Sequence, residues 1–189
     1  MTMTARRDGD VDILLGFGSN LGDRRAALSG SLRRLQELAE LRGLRCSRIY
    51  ATAPYGVTDQ PDFLNMAVRA HCALPADELL RRCKAIEQEF GRRPRERWHA
   101  REIDIDILLY GREQISTAVL TVPHPQMHLR RFVLLPAADV AADMIHAGRA
   151  ADVAQLLELC GDAGRVDVFG APPCSPDSDH QATATRERG

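Results

Sequence analysis

The sequence predicts an α+β fold, a ferredoxin-like βαββαβ core with helices packed on an antiparallel sheet and extra C-terminal segments. Two observations predict it. Through residue 109 the apolar periodicity changes in the order strand, helix, strand, strand, helix, strand. Its 189 residues also contain no internal repeat and no dividing linker, and a chain of that length buries about 70% of its unfolded surface as one domain.

The elements follow in order. Residues 1–10 are charged, lack an apolar run and are expected to be disordered, and the domain is expected over 11–165. VDILLGF at 11–17 reads as a buried strand. Gly16, Gly18, Ser19, Asn20, Gly22 and Asp23 read as a turn into a helix of about 18 residues, with Leu28, Leu32, Leu35 and Leu38 on its apolar stripe and Gly43 at its end. That turn suits an anion at a helix N-terminus, but capping accounts for Ser19, Asn20 and Asp23 equally well. A second strand is predicted over 44–51 and a third over 65–74. Between them, 52–65 is too rich in Pro, Gly and Asp for regular structure, and it offers Tyr55 and Phe63 as flat surfaces beside Thr52 and Asn65. Either these hold a planar heterocycle or the two aromatics enter the core. Pro75 opens a second helix at its first position, and Leu79, Leu80, Cys83, Ile86, Glu87 and Phe90 carry it to Gly91. Glu87 lies near the apolar stripe, and periodicity alone reads it as a surface carboxylate.

The fourth strand carries the chemistry. In 102–109, Ile103, Ile105, Ile107 and Leu109 alternate with Glu102, Asp104, Asp106 and Leu108, so Asp104 and Asp106 share a face, roughly 6–7 Å apart along the strand. Paired carboxylates repel and aspartate is a poor strand former, so stability alone does not recommend them. Mg²⁺, which takes oxygen ligands and ordinarily one or two carboxylates, reverses that argument; a solvated polar face is the alternative. Just upstream, Arg92, Arg93, Arg95, Arg97 and Arg101 surround Trp98, the single tryptophan. Guanidinium forks grip phosphate oxygens and an indole stacks on flat rings, so loop and strand together read as a nucleoside triphosphate site. Without the aspartates, a merely solvated basic loop would be the better reading.

Farther on, Pro123 and Pro125 fix His124 in an extended segment with Arg130 close behind, and 131–142 and 150–160 read as short amphipathic segments. The tail over 166–189 lacks a core pattern and is expected to be disordered. A net charge of −1 argues against a nucleic-acid or membrane-surface binder. Lys84 is the only lysine, and no GxxxxGK[ST] loop occurs. Five scattered cysteines without a CxxC pair suggest reduced thiols in a cytoplasmic protein, and no 18-residue apolar run could span a membrane.

GSNLGD at 18–23, YATAPYGVTDQPDFLNMAV at 50–68, GRRPRERWHAREIDIDILLY at 91–110 and LTVPHPQMHLRRFVLLP at 120–136 together resemble the hydroxymethyl-dihydropterin pyrophosphokinases of folate biosynthesis, over roughly residues 11–160. RWHAREIDID is the most specific run, while Ala53, Tyr55 and Pro94 depart from the family's usual pattern.

The resemblance implies transfer of a pyrophosphoryl group from ATP to the pterin's hydroxymethyl oxygen, with release of AMP. It implies two Mg²⁺ ions on Asp104 and Asp106, and Arg92, Arg101, Arg130 and His124 on the phosphates. Arg97 and Trp98 would lie on a loop that closes over both substrates, with Arg92, Trp98, Arg101 and the two aspartates as the catalytic set and Glu87 grouped with the ATP-binding residues. Ile107, Leu120 and Thr121 would hold adenine, and Thr52, Pro54, Tyr55, Phe63, Asn65 and Phe132 the pterin, with Phe63 and Phe132 sandwiching the ring and Asn65 reading its edge. The partners would be these two small molecules, with no nucleic acid and no membrane, and the protein a monomer. The competing class is an RNA-binding module that stacks a base on Trp98, against which the paired aspartates stand as a repulsive surface.

Overall fold

The computed structural model describes residues 7, 9–54, 59–92 and 100–173. Five strands run antiparallel in the order β10-β3-β4-β1-β5: β1 Val11–Ser19, β3 Ile49–Thr52, β4 Phe63–Cys72, β5 Asp104–Tyr110 and β10 Val166–Gly170. β2, Leu41–Cys46, pairs with β4 as well.

The single strand predicted over 44–51 is thus two strands. Ser47 separates them: its N–H donates to Ala67 O at 2.9 Å and its Oγ accepts from Ala67 N at 2.8 Å, so a side chain completes the ladder where the backbone bends. Gly43, predicted to end the first helix, lies inside β2 with φ 61°, where the register against β4 slips.

α1, Arg24–Gln36, and α2, Ala76–Glu89, cover one face of the sheet. α1 is shorter than predicted because its stripe ends at Leu35. Asp23 caps it, accepting from Ala26 N at 2.9 Å, and Pro75 is the N-cap of α2 rather than its first helical residue. Leu28, Leu32 and Leu35 of α1 and Leu79, Cys83 and Ile86 of α2 pack on Ile13, Leu15, Phe17, Ile105 and Ile107. Each such fully buried large aliphatic side chain contributes about 1.5–3 kcal/mol.

The opposite face is only partly covered. After β6 Ile115–Ser116 and β7 Thr121–Val122, α3 Arg131–Ala141 crosses it, followed by β8 Ile145–His146, β9 Ala151–Asp152 and α4 Val153–Leu159. Leu134, Ala137 and Ala141 of α3 and Val153 and Leu156 of α4 pack on Leu14, Ala67, Leu108 and Leu109. Helices therefore lie on both faces, and the end of the second face that α3 leaves open holds the pocket described below.

Residues 166–170, predicted within a disordered tail, form β10 instead, pairing Val166 with Thr52 and Val168 with Tyr50. A sequence this short and half-polar carries no core pattern, because an edge strand is held by the backbone ladder more than by burial. Cys72, Cys83 and Cys160 are free thiols, and among the described residues no helix is long and apolar enough to cross a membrane.

Candidate active site

β1 and β5 set the floor of the site through their register. Gly18 pairs with Asp104 and Gly16 with Asp106, so each carboxylate has a glycine as its neighbour on β1. Both glycines are strand residues rather than part of a turn, a correction that the period-2 run Leu15-Gly16-Phe17-Gly18 could have signalled. Their lack of side chains makes the room: a Cβ at Gly18 would lie 3.0 Å from Asn65 Oδ1, and one at Gly16 3.2 Å from Leu108 Cδ1.

Above this floor is a pocket of about 280 Å³. Arg92, Arg101, Asp104, Asp106, His124 and Arg130 line its polar side, and Thr52, Phe63, Asn65 and Phe132 the other. Sequence reasoning had named all ten. It missed Gly16, Gly18, Met66, Leu108, Gln126, Val133 and Pro136, which complete the wall with Phe17 and Ala53. Glu87, Pro54, Ile107, Leu120 and Thr121 do not line the pocket: Ile107 faces the α1–α2 core, and Leu120 and Thr121 sit at the β6–β7 hairpin. Tyr55, Arg97 and Trp98 lie outside the described residues.

Asp104 is the most heavily compensated charge in the site. Arg92 Nη1 and Arg101 Nη1 each donate to one of its oxygens, and Lys84 Nζ lies 3.8 Å from Oδ1. Burial disfavours its ionised form, but Arg101, Arg92 and Lys84 outweigh burial and hold its carboxyl below the usual range. Asp106 has no ion pair among the described residues, and burial together with the Asp104 charge pushes its carboxyl up to about 6. Among the described residues no three His, Cys, Asp or Glu side chains converge as a metal cage. The donor set is two carboxylates on one strand face, the number Mg²⁺ ordinarily takes from a protein, so these residues fit a hard divalent cation completed by water and phosphate oxygens.

Glu87 corrects the surface reading, being only 1% exposed. Its Oε1 accepts from Lys84 Nζ at 2.8 Å and from Ile105 N at 2.7 Å, and its Oε2 pairs with Arg92 Nη1 at 2.5 Å. It thereby holds two cations beside Asp104 from beneath the pocket. Burial pushes its carboxyl up, against the pull of Lys84.

On the far side, burial, aided by Arg130, pushes the His124 imidazole down to about 4. His124 Nδ1 accepts from Gln126 N at 3.3 Å, so the neutral ring carries its hydrogen on Nε2 as a donor. Arg130 donates to Gln126 Oε1 and stands 5.7 Å over the Phe132 ring. Asn65 Nδ2 donates to Thr52 Oγ1 at 2.7 Å. Behind the wall, buried Asn20 ties three segments together: its N–H donates to Arg101 O at 3.0 Å, its Oδ1 accepts from Arg101 N at 2.8 Å, and its Nδ2 donates to Gln60 Oε1 at 3.0 Å. Ser19 Oγ donates to Glu102 O at 2.6 Å. Ser19 and Asn20 thus hold the start of the aspartate strand, leaving the capping to Asp23.

Residues 14–142 match the model of a family described as 7,8-dihydro-6-hydroxymethylpterin-pyrophosphokinase. The chain is 37% identical over 163 residues to the 2-amino-4-hydroxy-6-hydroxymethyldihydropteridine pyrophosphokinase of Synechocystis, covering 86% of this chain and 80% of that protein. It is 44% identical over 126 residues to the protein of the same name from Bacillus subtilis, covering 67% and 75%. Among solved structures, it superposes with a TM-score of 0.61 on HPPK-DHPS of Plasmodium falciparum with pterin and p-hydroxybenzoate, at 16% identity, and spans 82% of this chain but only 43% of that one. That likeness is one of fold.

Proposed function

Because the chain belongs to the 7,8-dihydro-6-hydroxymethylpterin-pyrophosphokinase family, we propose an assignment of its pocket to the two substrates of that reaction. The enzyme transfers pyrophosphate from ATP to hydroxymethyldihydropterin in folate biosynthesis. The hydroxymethyl oxygen bonds to the β-phosphorus, the bond from that phosphorus to the α,β-bridging oxygen breaks, AMP leaves with the bridging oxygen, and the hydroxyl proton is released.

Asp104 and Asp106 would hold Mg²⁺, for which we assign two ions; bound there, the metal would supply charge neutralisation at the triphosphate and acidify the hydroxyl. Arg92, Arg101 and Arg130 grip phosphate oxygens, and the Nε2–H of neutral His124 donates to another without adding charge. Asn65, held by Thr52, reads the pterin edge between Phe63 and Phe132; Pro54 and Tyr55 are assigned to the same substrate. Ile107, Leu120 and Thr121 flank adenine outside the pocket proper, and Arg97 and Trp98 are assigned to the ATP site by residue type, a guanidinium for phosphate and an indole for a flat ring. Glu87 belongs to the ATP site by holding Arg92 and Lys84.

The strand order β3-β4-β1-β5, with a helix after β1 and another after β4, supports the ferredoxin-like reading of the core. We further assign a cytoplasmic monomer acting on two small molecules without a nucleic-acid partner, a reading that the net charge of −1 supports in its last part.

One observation carries the assignment: the aspartate pair with its arginines and the Asn65–Phe63–Phe132 wall share a single pocket. The test is a coupled assay for AMP with ATP, Mg²⁺ and hydroxymethyldihydropterin. AMP formed only with pterin and metal together supports it; ADP, or AMP formed without pterin, refutes it.

A further inference from the structure

We propose that Lys84 is a further nucleotide-binding residue, its ammonium contacting a phosphate of the triphosphate once a divalent cation occupies the Asp104 carboxylate; this rests on the pocket assignment above. Lys84 is the chain's only lysine, and its Nζ lies 2.8 Å from Glu87 Oε1 and 3.8 Å from Asp104 Oδ1. With Arg92 and Arg101 it makes three cations converging on one carboxylate.

A metal ion needs the Asp104 lone pairs that these cations face. Like charges this close repel, more strongly the less water lies between them, and a divalent ion doubles the repulsion on each neighbour. Metal and cations therefore share the site only when something anionic enters with the metal, and a triphosphate is that anion. Of the three cations, Lys84 is the freest to turn. Its side chain is 40% exposed against 28% for Arg92 and 25% for Arg101. Its ammonium rides a flexible stem with three rotatable donors, and Glu87 keeps it beside the site.

Because the lysine is unique, it supplies a readout independent of turnover. The acylation rate of Lys84 by an N-hydroxysuccinimide ester, followed by peptide mass spectrometry, is compared with Mg²⁺ alone, with AMP, and with Mg²⁺ plus α,β-methylene-ATP, which cannot transfer. The expected result is at least about fivefold protection by the last mixture and less than about twofold by the others. Calorimetry should show Lys84→Met weakening Mg²⁺–analogue binding about tenfold, while Lys84→Arg stays within about twofold. If the analogue binds the wild type while labelling is unchanged and Lys84→Met binds as tightly, the Lys84 inference is overturned and the pocket assignment stands. No binding of the analogue to the wild type overturns both.

Discussion

Glu87 reaches from α2 to accept the backbone N–H of Ile105 at 2.7 Å, the residue that separates Asp104 from Asp106. One buried carboxylate thus fixes the strand between the aspartates and also holds Arg92 and Lys84. Replacing Glu87 by Ala leaves that N–H without its acceptor and leaves Arg92 and Lys84 with Asp104 alone, at a cost of about 2–3 kcal/mol; Glu87→Gln keeps an acceptor for Ile105 and loses about half as much. Urea denaturation gives the two values, and hydrogen exchange at Ile105 should accelerate in the Ala variant only.

Asp104 and Asp106 should part company in stability even though both are needed for turnover. Asp104→Asn weakens contacts to Arg92 and Arg101 and lowers metal-free stability by about 1–2 kcal/mol, while Asp106→Asn relieves a repulsion and raises it by about 1 kcal/mol. Thermal melts with chelator present should move in opposite directions, while AMP formation falls by at least about a hundredfold in both.

Asp139 docks α3 onto β3, accepting from Tyr50 Oη at 2.8 Å and from Arg48 Nη2 at 2.7 Å. Burial raises its carboxyl, but Arg48 and Tyr50 prevail and hold it below the ordinary 3.8. A depressed carboxylate stabilises the fold above its unfolded pKa, and that contribution vanishes as pH falls through the lower folded value. Asp139→Asn should therefore cost about 1 kcal/mol at pH 7, discounted because Arg48 is half exposed. The gap from wild type should narrow below pH 3.8 in parallel denaturation curves.

Gly18→Ala brings a methyl to 3.0 Å from Asn65 Oδ1. Asn65 must then give way and its bond to Thr52 Oγ1 is disturbed, so pterin KM should rise about tenfold with ATP KM changed less than about twofold. Equal effects on both would mean that the floor, rather than the pterin wall, had moved.

Much of the site was legible because it rests on local spacing. Strand alternation alone places Asp104 and Asp106 on one face, and the prolines around His124 mark it as held in a restricted, extended segment beside Arg130. Glu87 was misread because its depth depends on how α2 lies across β5, a nonlocal fact that helical periodicity reports only as a face. Gly16 and Gly18 read as turn residues in the sequence because their role is absence of volume opposite the aspartates, visible only once register is known. The segments 131–142 and 150–160 are legible as amphipathic, but not that they cover the second face, and β10 is not legible at all: an edge strand and a layer's side depend on the sheet they meet.

β10 also bears on where this chain can be cut. It occupies the outer side of β3, the strand that carries Thr52 into the pocket wall. A chain ending at residue 165 would keep every side chain that lines the pocket, yet leave the amides and carbonyls of β3 as an open template for another molecule's strand. Its loss would be felt first as self-association at high concentration, with single-turnover chemistry in dilute solution preserved. The sheet's outermost strand is in that sense a guard on colloidal behaviour, standing next to a binding site it never touches.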